Sequence, residues 1–187
     1  MNCAKLISSA IGGSCEYIHD GFEKTGVIIN KADVDIAAVS IAENVIATLP
    51  LVSTKKGFKV TQPGNKPFNG AKTTLNVGDY FNTYTKEVQI LIVGDNLADA
   101  EAHDKLMGGE FVLVLPGNGV SEGKKVYYVY GIEQGMKVSA AERVFYDDNT
   151  KGGWLVTLTE TKAQNSEIYL DAGTDAATKT LFDGLTA

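Results

Sequence analysis

Lys86-Glu-Val-Gln-Ile-Leu-Ile-Val93, Glu110-Phe-Val-Leu-Val-Leu115, Lys125-Val-Tyr-Tyr-Val-Tyr130 and Trp154-Leu-Val-Thr-Leu-Thr-Glu160 are four strand candidates within Thr85–Leu170. They are rich in β-branched and aromatic residues, which suit a pleated surface. One helix candidate, near Asn96–Met107, interrupts them. Several runs are apolar on both faces: Phe111, Leu113 and Leu115 point one way, Val112 and Val114 the other. A lone antiparallel sheet with one wet face alternates more cleanly. Both faces are therefore covered, by a second layer of the same domain or by a neighbouring subunit.

Outward from this block the strands shorten. Gly26–Asn30 and Asn44–Leu49 read as strands, with a turn or helix start at Lys31–Asp35 and Asp33 as a candidate cap. Residues 1–25 read as an irregular or partly helical lead-in. Asp95 or Asn96 is placed to cap the 96–107 helix, and Ala98, Ala102 and Leu106 form its apolar stripe. Gly108-Gly109 ends it. The later connections are turns too short for crossovers, which favours an antiparallel meander. Asp147–Gly153 reads as a turn and Ile168–Leu170 as a short strand. Thr174–Asp183 forms a C-terminal helix closed by Gly184, within a tail over 174–187.

Ser53–Asn76 differs from its surroundings. It holds Lys55, Lys56, Lys59, Lys66 and Lys72 and no acid, so against the chain's net −6 the remainder carries −11. Gln62-Pro-Gly-Asn-Lys-Pro67 is a turn signal between two extended runs. The segment reads as a long basic β-arm with a mobile tip, or as a solvated hairpin. As an arm its inter-subunit residues are Lys55, Lys56 and Lys59, with Phe58 and Phe68 as apolar anchors.

The 187 residues are enough for one domain with a sizeable core, and 44% of them are apolar. Net acidity argues against a general nucleic-acid binder, which needs basic surface to displace counterions. No run reaches the length of a membrane span, and no secretion signal is convincing, so the expected place of synthesis and residence is the cytoplasm or an assembly built there.

Chemistry-bearing patterns are sparse. There is no Gly-x-Ser-x-Gly elbow and no phosphate loop. Cys3 and Cys15 suggest a small disulfide loop or, with His19, half a metal site, but reduced thiols are the simpler reading. His103 lies among Asp99, Glu101 and Asp104, and is read as a solvated residue on a charged helix face rather than a general base. Asp33-Val-Asp35 and Asp171–Asp175 lack the spacing of a calcium loop. Tyr127, Tyr128 and Tyr130 are read as core and interface aromatics. No catalytic, cofactor or metal residue is assigned.

Met1-Asn-Cys-Ala-Lys-Leu-Ile-Ser-Ser9, Val27–Asp35, Lys56–Val60, Val88–Val93, Glu110–Leu115, Tyr130-Gly-Ile132, Gly152–Glu160 and Ser166–Leu170 together resemble small virion proteins of tailed phages infecting Bacteroidetes. These look like tail-tube or tail-ring subunits. The resemblance spans most of the chain and rests on overall pattern rather than an invariant motif. It implies a mainly β, α+β fold: an antiparallel β-sandwich or barrel of tail-tube type with a flanking helix. It also implies a virion structural protein in rings, commonly hexamers, around a lumen. DNA leaves through that lumen without specific binding, and neighbouring tail or neck proteins are further partners. A capsid-bound auxiliary protein and, in a different class, a small cytoplasmic β-barrel enzyme or ligand binder are the alternatives.

Overall fold

The computed structural model describes residues 21–94, 96–121 and 124–186. Cys3, Cys15 and His19, with most of the lead-in, lie outside them. Two 3-10 turns follow the first strand, β1 (Thr25–Asn30), and the short strands β2 (Ile41–Ala42) and β3 (Val45–Ile46) come next. β4 (Phe58–Thr61), β5 (Lys72–Asn76) and β6 (Thr83–Ile92) precede helix α1 (Leu97–Met107). Then come β7 (Phe111–Ser121), β8 (Lys124–Tyr130), β9 (Lys137–Arg143), β10 (Trp154–Ala163), β11 (Tyr169–Leu170) and helix α2 (Asp175–Gly184). Among the described residues the fold is mainly β with two α-helices, as the apolar runs indicate.

Among the described residues the strands form two open sheets and no closed barrel. One has seven strands in the order β2-β3-β11-β8-β7-β1-β4; the other has four, β5-β6-β10-β9. Every pairing is antiparallel except β3 with β11. The four long runs thus do not form one meander. β7 pairs with β8 in the larger sheet, and β6 with β10 in the smaller. β9 was not anticipated: Lys137-Val-Ser-Ala-Ala-Glu-Arg143 is polar and small, and only its pairing with β10 makes it a strand.

The two-faced strands find their cover within the chain. Val27, Ile29, Val112, Val114, Tyr127 and Val129 face one core cluster, closed by Ile46, Leu49, Ile168, Leu170 and Leu185. Leu181 and Phe182 of α2 pack on it, with the Phe182 ring centroid 5.1 Å from that of Tyr127. Ile28, Phe111, Leu113, Leu115 and Tyr130 face the other cluster, shared with Val88, Ile90, Val156 and Leu158 of the smaller sheet. The period-2 alternation of β1, β7 and β8 is therefore intact, with an apolar layer on each side.

Residues 53–76 do not form a projecting hairpin. β4 pairs with β1 at the edge of the larger sheet, and β5 pairs with β6 at the edge of the smaller one. The turn between them crosses from sheet to sheet. Gln62 holds this crossing: it is buried, its Oε1 accepts from Leu91 N–H at 2.7 Å, and its Nε2 donates to Leu91 C=O at 3.3 Å. One side chain thus occupies both backbone groups of a β6 residue, as a pairing strand would.

Phe68 is 2% exposed in the inter-sheet core, although its φ of 53 is unfavourable for a residue with a Cβ. Its ring meets Phe22 edge-on at 6.3 Å. Phe68 is a core residue and not an inter-subunit anchor, because the crossing segment seals the open side of the sandwich with it.

α1 meets the expected stripe only in part: Leu106 packs against the inter-sheet cluster. Asn96 caps it, accepting from Asp99 N–H at 2.9 Å, but Ala98 and Ala102 are exposed and His103 is the buried residue. α2 matches its reading, with Thr174 as cap.

Candidate assembly interface

A reversal of the usual burial rule occurs twice along β6, once at each side of its start. Lys86 shares the inward side of the strand with Val88 and Ile90, and is fully buried. Glu160, its register partner on β10, is fully buried as well. Lys86 Nζ lies 3.6 Å from Glu160 Oε2 and 3.8 Å from Glu133 Oε2.

Both carboxylates are further engaged. Glu160 accepts from Gly131 N–H at 3.0 Å and Gln134 N–H at 2.8 Å. Glu133 accepts from Gln164 N–H at 3.1 Å, Asn165 N–H at 3.3 Å and Asn165 Nδ2 at 2.9 Å. Gly131, at φ 82, brings its backbone so close to Phe111 that a Cβ there would sit 2.3 Å from the Phe111 carbonyl oxygen. The cluster therefore ties β6, β10, the turn after β8 and the irregular end of β10 into one unit. The two carboxylates set opposite charge against the buried ammonium, whose Nζ makes no hydrogen bond among the described residues, so removing either carboxylate leaves a buried charge less compensated. The sequence carried its signal: Lys86 and Glu160 have the same parity as the buried valines, isoleucine and leucine of their strands.

Immediately before β6 the sense is opposite. The six-residue turn after β5 presents Val77, Tyr80 and Phe81 at 80%, 90% and 82% exposure, with exposed Asp79 between them. The other end of the same sheet presents Phe145 and Tyr146, at 69% and 99%, beside Val144, Val93 and Leu97. The antiparallel register places these groups at opposite ends: Ala163 pairs with Tyr84 near the first, Trp154 with Ile92 and Arg143 near the second. The Arg143 guanidinium covers one side of Phe145 at 4.4 Å.

An apolar groove of about 940 Å³ opens between α2 and residues 47–56. Leu49, Leu51, Val52, Ala177, Leu181 and Leu185 are among its walls. Lys55 and Lys56 stand at it. Lys55 pairs with Asp33 at 3.5 Å, and Lys56 Nζ donates to the Gly184 carbonyl at 2.6 Å, at the negative end of α2. Gly57 N–H donates to the Leu185 carbonyl at 2.7 Å. The first part of the basic segment thus clamps the C-terminal helix. Lys59 is exposed, as is Phe58 at 64%, both on the edge strand β4. Of the five expected contact residues, Lys55, Lys56, Phe58 and Lys59 are at the surface and Phe68 is not.

His103 departs from its expected solvated position. It is 8% exposed, and its ring stacks on Trp154 with centroids 4.2 Å apart and planes at 29°. Its Nδ1 lies 3.5 Å from Asp104 Oδ1, and its buried Nε2 has no hydrogen-bond partner among the described residues. It packs α1 onto the end of β10. Burial, then the nearby Glu167 carboxylate, pushes the Tyr130 phenol well above its ordinary range, and Tyr169 is raised by burial and by its hydrogen bond to Glu167. These are packed tyrosines and not proton donors to an open site. Among the described residues, no group of three or more His, Cys, Asp and Glu is placed to hold a metal, and no helix is long and apolar enough to cross a membrane. Comparison with family models, curated proteins and solved structures gives no match in any of the three.

Proposed function

We propose that this chain is a virion structural subunit that assembles with copies of itself into rings, commonly hexameric, of a phage tail tube or neck. The reading rests on one observation: large apolar side chains stand in water at both ends of the four-stranded sheet, at Val77, Tyr80 and Phe81 and at Phe145 and Tyr146. Monomeric proteins seldom leave grouped apolar surface uncovered, and aromatic side chains are enriched where proteins meet. With both faces of the larger sheet covered within the chain, these exposed ends are places where other copies can attach. The sequence resemblance to tail-tube and tail-ring subunits supplies the kind of assembly. The net charge of −6 suits a conduit that must release the DNA passing through it.

In this role the chain acts without catalysis, cofactor or membrane, inside the virion and against neighbouring tail or neck proteins. Electron microscopy of the purified protein, with mass measurement at native concentration, tests it. Closed rings with a central opening are the expected result; a strict monomer at high concentration overturns it. The groove beside α2 is the observation that favours the rival reading of a small-ligand binder. A bound small molecule recovered from monomeric protein would favour that rival.

A further inference from the structure

We infer that the Val77–Phe81 turn of one copy seats in the groove between α2 and residues 47–56 of the next, a contact that rests on the self-association just proposed. Three observations lead to this pairing. The turn is a knob: Val77, Tyr80 and Phe81 project from the end of a hairpin whose strands are fixed by pairing at Lys72–Glu87 through Asn76–Thr83. The groove is a matching hollow of about 940 Å³ with mostly aliphatic walls. Two aromatic rings each bring about 150–250 Å² of surface to such a contact.

Charge is complementary as well. Asp79 stands exposed on the knob, and Lys55 and Lys56 stand at the groove. Lys55, which also meets Asp33, and Lys56, which also meets the Gly184 carbonyl, give the groove a charge opposite in sign to Asp79, with the apolar side chains supplying affinity and the charges supplying orientation.

The third observation is topological. α2 and the groove lie on one face of the seven-stranded sheet, whereas the hairpin belongs to the smaller sheet on its other face. A knob cannot fold back into its own groove through that sheet. Each copy therefore carries one knob and one hollow on different surfaces. Such a head-to-tail contact generates a ring if its rotation closes and a filament if it does not.

A photo-crosslinking p-benzoylphenylalanine placed at Tyr80, in a mixture of isotope-labelled and unlabelled full-length protein, tests the pairing by mass spectrometry. The expected crosslinks join position 80 of one copy to residues 47–56 or 174–185 of another. Ala177→Arg, at an exposed helix position in the groove wall, should leave the circular dichroism unchanged and weaken association about tenfold or more, equivalent to about 1.4 kcal/mol. Oligomers whose crosslinks map elsewhere, and whose assembly ignores Ala177→Arg, overturn this contact while leaving the ring reading standing. A strict monomer without intermolecular crosslinks overturns both.

Discussion

Lys86 and the Tyr80–Phe81 pair are a few residues apart on one hairpin, yet each breaks the burial rule in the opposite direction. The lysine is inside, held by Glu160 and Glu133 at 3.6 and 3.8 Å. The aromatics are outside, at 90% and 82% exposure. The difference lies in the partners. Burying a charge is costly unless opposite charge meets it; two carboxylates face Lys86, while its Nζ makes no hydrogen bond among the described residues. Exposing aromatics is tolerated by the monomer but leaves their favourable burial unrealised. The first region is completed by folding, whereas the second leaves its apolar surface in water.

The largest expected effect comes from breaking the buried region. Glu160→Ala leaves Lys86 without its register partner and frees two backbone N–H groups, so it should cost about 3–5 kcal/mol. A denaturant midpoint little changed from wild type would contradict the structural role of the cluster. Phe68→Ala should cost about 3 kcal/mol by opening a cavity in the inter-sheet core. If Phe68 were instead an exposed anchor, its stability effect would be within about 0.5 kcal/mol. His103→Ala should cost about 2 kcal/mol by removing the ring stacked on Trp154, and thermal unfolding reads that loss directly.

Alkaline pH gives a smaller and graded test. The phenols of Tyr130 and Tyr169 are raised in the fold, chiefly by burial. The unfolded chain gives up these protons first, near its ordinary value of about 10. Their contribution is therefore complete below that value and lost as pH rises beyond it. Stability should be level through neutral pH and fall above about pH 10, and Tyr130→Phe should flatten that fall. A fall that begins near pH 8 would assign the transition to other groups.

The hydrophobic periods were legible where they were strong. β1, β7 and β8 alternate so regularly that both of their core faces follow from the sequence, and Asn96 is a recognisable cap. The sharing of strands between two sheets was not legible, because an apolar run does not say which sheet it joins. Residues 53–76 look like an arm because lysines dominate them; Gln62 and Phe68, which turn the segment into a strap, carry no local signal of burial. β9 has too little apolar character to declare itself. His103 is surrounded in sequence by acids, yet its ring is buried against Trp154 and keeps only Asp104 within 3.5 Å of its Nδ1. For the proposed assembly surface, the basic segment pointed to five residues, of which Lys55, Lys56, Phe58 and Lys59 are at the surface and Phe68 is in the core, whereas the Val77-Gly-Asp-Tyr-Phe81 turn, apolar between two strands, has no lysine run to mark it.

The smallest effect on stability should come from the exposed region, and it is also the most decisive. Val77→Ser, Tyr80→Ser and Phe81→Ser should each change folding stability by no more than about 0.5 kcal/mol, since these side chains meet water in the isolated subunit. Sedimentation velocity of the wild-type and triple-variant proteins, across a concentration series, then compares their association. The account predicts concentration-dependent oligomers for the wild type and a folded monomer for the variant. Equal association of the two proteins, or a wild type that stays monomeric throughout, would contradict it.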